Sequence, residues 1–285
     1  MVLVADSAIQ IEHETVKKLD IRVVEYPLFV NGEAYPVSIS MSRDEKDKLR
    51  AILKDKNNNV TTSGLREDDI VKAFEEASPG KILFMHQSAR ASTATASVLN
   101  KVKERTAGLD VEYFDTHHLT GAHSVQVLVA ARLIKEGASF DELMPVLRQN
   151  RERTRHLGAV YDLFYLHRTG RIGLAKAFFG TAMKIIPLLG STEEPGVLKP
   201  FGKAKNYVQA NQKLVQIISD DLDERKSSGI TALISVIGPH ETEAAHLKEL
   251  LDGQDFATDV EIHYTNHSNM PHAGPDFYDI GFIPG

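Results

Sequence analysis

The chain has 285 residues, 42% of them hydrophobic and 25% charged, with 33 Lys and Arg against 39 Asp and Glu. At roughly 150 residues per domain this length predicts about two domains with real cores, and the dispersed charges exclude long disordered arms. A net charge of −6 argues against a chain that works by neutralising phosphate backbones, so no nucleic acid partner is expected. The absence of cysteine excludes disulfides, thiolate metal sites and cysteine nucleophiles. The opening apolar run is too short for a signal peptide and no run reaches the ~18 residues of a membrane span, so a cytoplasmic protein with no integral membrane segment is expected.

Val2–Ala5 is a short apolar run that delivers Asp6 and Ser7 at its end, as a buried parallel strand does, and α/β sheets place ligands at that end. Helical patterns over Glu12–Leu19, Arg43–Leu53, Glu67–Ala77 and Ser92–Glu104 then alternate with strand-like runs at Arg22–Glu25, Lys81–Met85 and Asp110–Phe114. Such alternation predicts a parallel sheet covered on both faces. Asn31-Gly32 between Leu28–Val30 and Glu33–Tyr35 is a hairpin signal. Two long helices follow, Ala122–Lys135 and one opened by Ser139 with Glu142 three residues later, a capping box; they are placed to bridge two halves.

After Arg155 the texture changes, which predicts an N-terminal α/β domain over 1–155 and a mixed α/β domain over 156–285, with a ligand cleft between them. In the second half, strands are expected at Leu157–Tyr161, Ile186–Leu189, Val197–Phe201, Ile230–Ile237 and Val260–Tyr264. Helices are expected at Leu163–His167, Ala175–Lys184, Tyr207–Glu224 and Glu241–Leu251, and a Gly/Pro/His-rich tail with Ile280–Ile283 closes the chain.

Asp6-Ser7 could hold a metal, position a phosphate or cap a turn; an Asp-x-Asp phosphatase pair is not met, because position 8 is Ala8. Thr61-Thr62-Ser63 precedes a helix whose first turn carries Glu67, Asp68 and Asp69, so it reads as a capping cluster or as hydroxyl donors gathered for an anion at a helix start. Ser88 to Thr93 is a second hydroxyl-rich strand-to-helix turn, and with Asp6-Ser7 it makes three such turns expected on one sheet edge. A nucleophile elbow would need Gly-x-Ser-x-Gly around Ser92, which is absent. His263, His267 and His272, like His117-His118, fit no helical zinc spacing and read as loop or surface histidines. Arg171, between glycines at the inferred junction, is either a functional cation or a solvated turn charge.

In this order the pieces resemble the DegV family of bacterial fatty-acid-binding proteins. The matching motifs are Asp6-Ser7, Thr61-Thr62-Ser63, Ser88 with Ser92, Tyr161-Asp162-Leu163 with Tyr165-Leu166, Gly170-Arg171-Ile172, Pro187, Gly202-Lys203 and His272-Ala273-Gly274-Pro275, and they span essentially the whole chain. The resemblance implies two α/β domains enclosing a long-chain fatty acid, whose carboxyl group is held by Thr62 and Ser92 with Ser63 beside them. It also implies that Arg171 and His272 lie near the carboxyl end, that the protein is not an enzyme and needs no cofactor or metal, and that it hands its acyl chain to a separate ATP-dependent fatty acid kinase. Arg90 and Ala94, Gly64-Leu65 and Asp276 depart from the family pattern, as does Thr93 where Gly is usual, and these changes bear on the headgroup geometry and the kinase partnership more than on the fold. On the residues alone, the rival is a hydrolase or phosphoryl-transfer enzyme reacting through Ser92 or His272, for which neither a Gly-rich phosphate loop nor a magnesium carboxylate pair is found. Phe178, Phe179 and Met183 are candidates for setting pocket depth and equally good core residues.

Overall fold

The computed structural model describes residues 1–173, 185–191, 197–264 and 267–285. Four strands, β1 (Val2–Asp6), β2 (Arg22–Val24), β6 (Ile82–His86) and β7 (Val111–Asp115), form a wholly parallel sheet in the order β2-β1-β6-β7. Parallel neighbours need crossovers, supplied here by α1 (His13–Lys18), α3 (Glu67–Ala77) and α4 (Thr93–Arg105) among others. Because successive strand residues face opposite ways, Val4, Ile82 and Phe84 pack on Ile70 and Phe74 of α3 and Leu99 of α4. Leu3, Ala5, Leu83 and Met85 face the other side, against α5 (Thr120–Lys135) and α6 (Phe140–Arg153).

The second sheet has six strands: β8 (Arg155–Val160), β9 (Ile186–Ser191), β10 (Lys199–Ala204), β11 (Gly229–Ile237), β12 (Ala257–Tyr264) and β13 (Phe277–Pro284). Their order is β10-β9-β8-β13-β11-β12, with β11 and β12 parallel and the other neighbours antiparallel. Its outer face, including Leu157, Ile234 and Ile280, packs against α8 (Tyr207–Arg225) and α9 (Glu241–Asp252). Leu233 and Ile283 from its inner face join the cluster around α5, which therefore bridges the two sheets as its sequence position suggested. The approach is close because glycine meets glycine: a Cβ on Gly281 would lie 2.1 Å from the Gly121 carbonyl carbon. Wedged in this way, α5 has every residue from Thr120 to Leu128 buried, so its polar side chains must find partners inside the protein.

A small antiparallel sheet, β4-β3-β5, stands beside the parallel one and is built from β3 (Leu28–Val30), β4 (Glu33–Tyr35) and β5 (Val60–Thr62). Asn31 and Gly32 turn the expected hairpin with φ of 53° and 88°. Leu28 and Val60 pack with Leu49 and Leu53 of α2 (Arg43–Lys54), and this cluster continues into Tyr165 of α7 (Phe164–Arg168) and Met270 of α10 (Met270–Ala273).

Two expectations are corrected. Thr61-Thr62-Ser63 does not open a helix: Thr61 and Thr62 are ladder residues of β5, and the N-cap position of α3 is Arg66. This triplet therefore belongs to the small sheet and not to the edge that carries Asp6-Ser7 and Ser88. The tail is also more regular than its composition suggests, since β13 pairs with both β8 and β11 in the middle of the mixed sheet. The expected helix over Ala175–Lys184, with Phe178, Phe179 and Met183, lies outside the described residues. Among the described residues no helix is long and apolar enough to cross a membrane.

Candidate functional site

A cavity of about 220 Å³ opens where Tyr26 and Gln87, just beyond the carboxyl ends of β2 and β6, face residues of β8, β9 and β13. Val160, Leu166, Leu189, Leu198 and Phe277 give it apolar walls, and Thr62, Ser63, Ser92, Arg171 and His272 all line it. The five residues singled out in the sequence are thus brought to one cavity, from both sides of residue 155.

Each arrives by a different route. Thr62 ends β5, opposite Leu28 in the ladder, and the next amide, Ser63 N–H, donates to the Pro27 carbonyl at 3.1 Å. Ser63 itself is exposed and donates its hydroxyl to the Gly64 carbonyl at 3.0 Å. Gly64 brings this loop onto α4, because an added Cβ there would come within 2.9 Å of the Ala94 Cβ. Ser92 is the N-cap residue of α4, yet its side chain does not cap the helix; it pairs with Thr95 Oγ1 at 2.9 Å. His272 was expected in a rim loop, but it sits in the short helix α10, where its Nε2 lies 2.9 Å from Thr62 Oγ1. Asn269 and Ser268 anchor that segment: Asn269 Nδ2 donates to the Ala8 carbonyl at 2.9 Å, and the Ser268 and Ser7 hydroxyls lie 2.7 Å apart. Arg171 is exposed at the mouth and donates to the Thr169 carbonyl at 2.5 Å.

Behind the hydroxyls lies a buried polar chain. Asp6, fully buried, accepts from the amides of Ala8 at 3.0 Å and Gln87 at 2.8 Å and from the Tyr26 hydroxyl at 3.2 Å. Burial alone would raise the Asp6 pKa, but the His123 imidazole 3.3 Å away, then the Gln87 amide and the His86 ring, hold it below the usual carboxylate range. Tyr26 Oη in turn lies 2.8 Å from Thr95 Oγ1, and burial, then the Asp6 charge, pushes its pKa well up, so it keeps its proton. A second buried group, Thr120, His156 and Asp279, lines the opposite wall, with His156 Nε2 at 2.9 Å from Thr120 Oγ1 and 2.7 Å from Asp279 Oδ2. Thr120 holds a φ of 46°, a rare conformation for a β-branched residue, at the point where α5 meets this wall.

Desolvation sets the histidines. Burial, with Arg171 and Arg168 nearby, lowers the His272 pKa to about 4, so its ring is neutral at pH 7. His263 and His267 are buried as well, against the expectation of surface histidines, and burial lowers the His267 pKa to about 4. Among the described residues no group of three or more metal-ligating side chains converges. Two of the departures do not line the cavity: Arg90 is exposed, and Asp276 pairs with Lys54 of α2 at 3.1 Å.

A family model described as "Uncharacterised protein, DegV family" matches residues 1–285. The chain belongs to the DegV family. Among curated relatives, Protein DegV of Bacillus subtilis is 29% identical over 256 residues, covering 88% of each chain. A DegV domain-containing protein of Caldanaerobacter subterraneus is 25% identical over 292 residues, covering 98% of this chain and 97% of the relative. Among solved structures, a DegV family protein from Thermus thermophilus, described by its fatty acid binding, superposes with a TM-score of 0.85 at 24% identity, covering 100% of this chain and 99% of that one. A stearic-acid-binding protein from Eubacterium ventriosum gives a TM-score of 0.84 at 19% identity, covering 100% and 98%. At these identities the likeness establishes the two-domain DegV fold.

Sequence reading did not find Tyr26, Gln87, Thr120, His156, Ser268, Asn269 or Asp279, all of which line the cavity of this DegV protein. Asn269 and Ser268 left a trace, a polar stretch just ahead of the His272-Ala273-Gly274-Pro275 motif. Tyr26 and Asp279 left none, since each is an unremarkable residue in or beside a strand pattern.

Proposed function

We propose that this DegV-family protein binds a long-chain fatty acid in the cavity, with the carboxyl group at Thr62, Ser92 and His272, and presents it to a separate fatty acid kinase. The observation that carries the reading is that these three residues, from β5, the start of α4 and α10, line one apolar-walled cavity, with Thr62 and His272 in direct contact. A headgroup taken out of water needs hydrogen-bond partners, and they are supplied there. The fatty-acid-binding descriptions of the Thermus thermophilus and Eubacterium ventriosum proteins support the ligand class.

A sixteen-carbon chain buries about 15 methylenes, worth roughly 12 kcal/mol of gross transfer at ~0.8 kcal/mol each. Association costs about 4–15 kcal/mol, so affinity depends on a preorganised cavity, and the buried hydrogen-bond chain behind Ser92 provides that rigidity. Binding is favoured over hydrolysis because Ser92 Oγ is hydrogen-bonded to Thr95, not to an imidazole that could act as its base. The test is organic extraction of the purified, denatured protein followed by mass spectrometry: a stoichiometric fatty acid is expected. A protein that carries none, and takes up none when offered, would refute the reading.

A further inference from the structure

We propose that the buried chain Asp6–Tyr26–Thr95–Ser92 fixes the direction of the Ser92 hydroxyl, so that the site selects a headgroup that donates a proton to Ser92 Oγ: a fatty acid in its neutral, protonated form. The proposal rests on the acyl-binding reading above and specifies which ionic form of the ligand is taken.

The direction follows from counting protons, one per hydroxyl. The Asp6 carboxylate only accepts, and its charge attracts the phenolic proton, so we assign the Tyr26 proton to Asp6 Oδ2, 3.2 Å away. The Tyr26 oxygen, 2.8 Å from Thr95 Oγ1, must then accept, and Thr95 is the donor. With its proton given to Tyr26, Thr95 Oγ1 accepts at its 2.9 Å contact with Ser92 Oγ, and Ser92 donates. What Ser92 turns to the cavity is therefore a lone pair. A carboxylate, which offers only lone pairs, would meet it oxygen to oxygen. Turning the Ser92 proton toward the ligand instead would leave two oxygens 2.9 Å apart with no proton between them.

Thr62 has the opposite polarity. His272 Nδ1 is buried without a partner, so we assign the Nε2–H tautomer, which leaves a bare acceptor there and no orphaned N–H. Nε2 then donates to Thr62 Oγ1, and the Thr62 proton is free for the cavity. One donor and one acceptor complement a carboxylic acid: its carbonyl accepts from Thr62 and its hydroxyl donates to Ser92.

The charged and titratable groups around the headgroup are Arg171 after α7, His272 of α10, Tyr26 after β2, His156 of β8 and Asp279 of β13, with Asp6, His123 and His86 behind Tyr26 and Arg168 behind His272. Arg171 and the N-terminus of α4 favour an anion, but Arg171 is exposed and screened, and the helix end contributes less than an unmade buried hydrogen bond costs. The two buried carboxylates, Asp6 and Asp279, oppose a third negative charge.

The test is equilibrium binding of dodecanoic acid, dodecanol and methyl dodecanoate to the delipidated full chain between about pH 5 and about pH 9. A ligand whose pKa rises on binding binds best below its free pKa and weakens as pH climbs, so the acid should lose up to about tenfold in affinity per pH unit. Dodecanol should bind without pH dependence, and the ester, which cannot donate, should bind about tenfold more weakly than dodecanol. Tyr26→Phe removes the acceptor for the Thr95 proton, which can then point to Ser92 and release the Ser92 proton to the cavity, so the pH dependence should flatten. Thr95→Val frees the Ser92 hydroxyl directly and stands in should Tyr26→Phe fail to fold. Acid binding that is flat with pH, with no dodecanol bound, would overturn the polarity and leave acyl binding standing. Failure of all three ligands to bind, and of hexadecanoic acid as well, would overturn acyl binding and this proposal together.

Discussion

Thr62 Oγ1 and His272 Nε2 lie 2.9 Å apart across 210 positions of sequence, so a hydroxyl on a three-residue strand is held by the last helix of the chain. The part of the cavity that Thr62 and His272 line is therefore assembled only when the small sheet and the C-terminal segment have both docked. Ser7, Ser268 and Asn269 tie that segment to the end of β1 and enforce the docking.

Replacing Thr62 and Ser92 together by Ala should leave the fold intact and weaken fatty acid binding. Both side chains are partly exposed, and each substitution removes a hydrogen-bonding group from the proposed headgroup site, at about 1 kcal/mol or more apiece. Equilibrium binding of a labelled fatty acid checks this, with circular dichroism to confirm folding. Unchanged affinity in a folded double variant would remove the headgroup site.

Stability should fall as pH drops from about 6.5 toward 4. Burial lowers the pKa of His267 and His272 to about 4 and that of His118 to about 3, against 6.5 in an unfolded chain. The unfolded state then binds more protons throughout this window, so stability is fully present above pH 6.5 and is lost as pH falls toward the folded values. Urea midpoints measured across the window would show it, and His118→Asn should reduce the slope. A flat profile would mean that these imidazoles are solvated.

The alternation of strands and helices was legible because the central strands of the parallel sheet, β1 and β6, are buried and read as short apolar runs. Ser139 with Glu142 and Asn31-Gly32 were legible because a capping box and a tight turn are local chemistry. Thr62 was found as a site residue but misplaced, since β5 is three residues long and takes its form from a ladder with Leu28–Val30, some thirty positions earlier. The buried chains were illegible for the same reason at longer range: His156 meets Asp279 across 123 positions, and no periodicity in either segment announces the contact. Rim and wall were also confused for His272, because a four-residue helix has too few turns to show a pattern.

Gly281→Ala should destabilise the protein by about 3 kcal/mol or more, because the new methyl would enter the Gly121 backbone where α5 bridges the sheets. Gly108→Ala, whose Cβ would meet nothing within 4 Å, is the matched control and should change stability by less than about 0.5 kcal/mol. Denaturant midpoints for the pair measure how tightly α5 is clamped. Equal midpoints would show that the helix can back away from β13.

Arg171 should matter more for presenting the carboxyl group than for retaining it. It follows α7 at the cavity mouth, is exposed, and spends one guanidinium nitrogen on the Thr169 carbonyl 2.5 Å away. An exposed cation attracts a carboxyl group weakly, by about 0–1 kcal/mol, whereas the hydroxyls of Thr62 and Ser92 act inside the wall. Arg171→Ala is therefore expected to lower acyl affinity by less than the Thr62/Ser92 double variant, and to reduce acyl phosphate formation when a fatty acid kinase is supplied. Equilibrium binding, paired with kinase-coupled phosphorylation at saturating acyl loading, separates the two roles. Loss of binding outright in a folded Arg171→Ala protein would make Arg171 the primary anchor, and an undiminished phosphorylation rate would remove it from presentation.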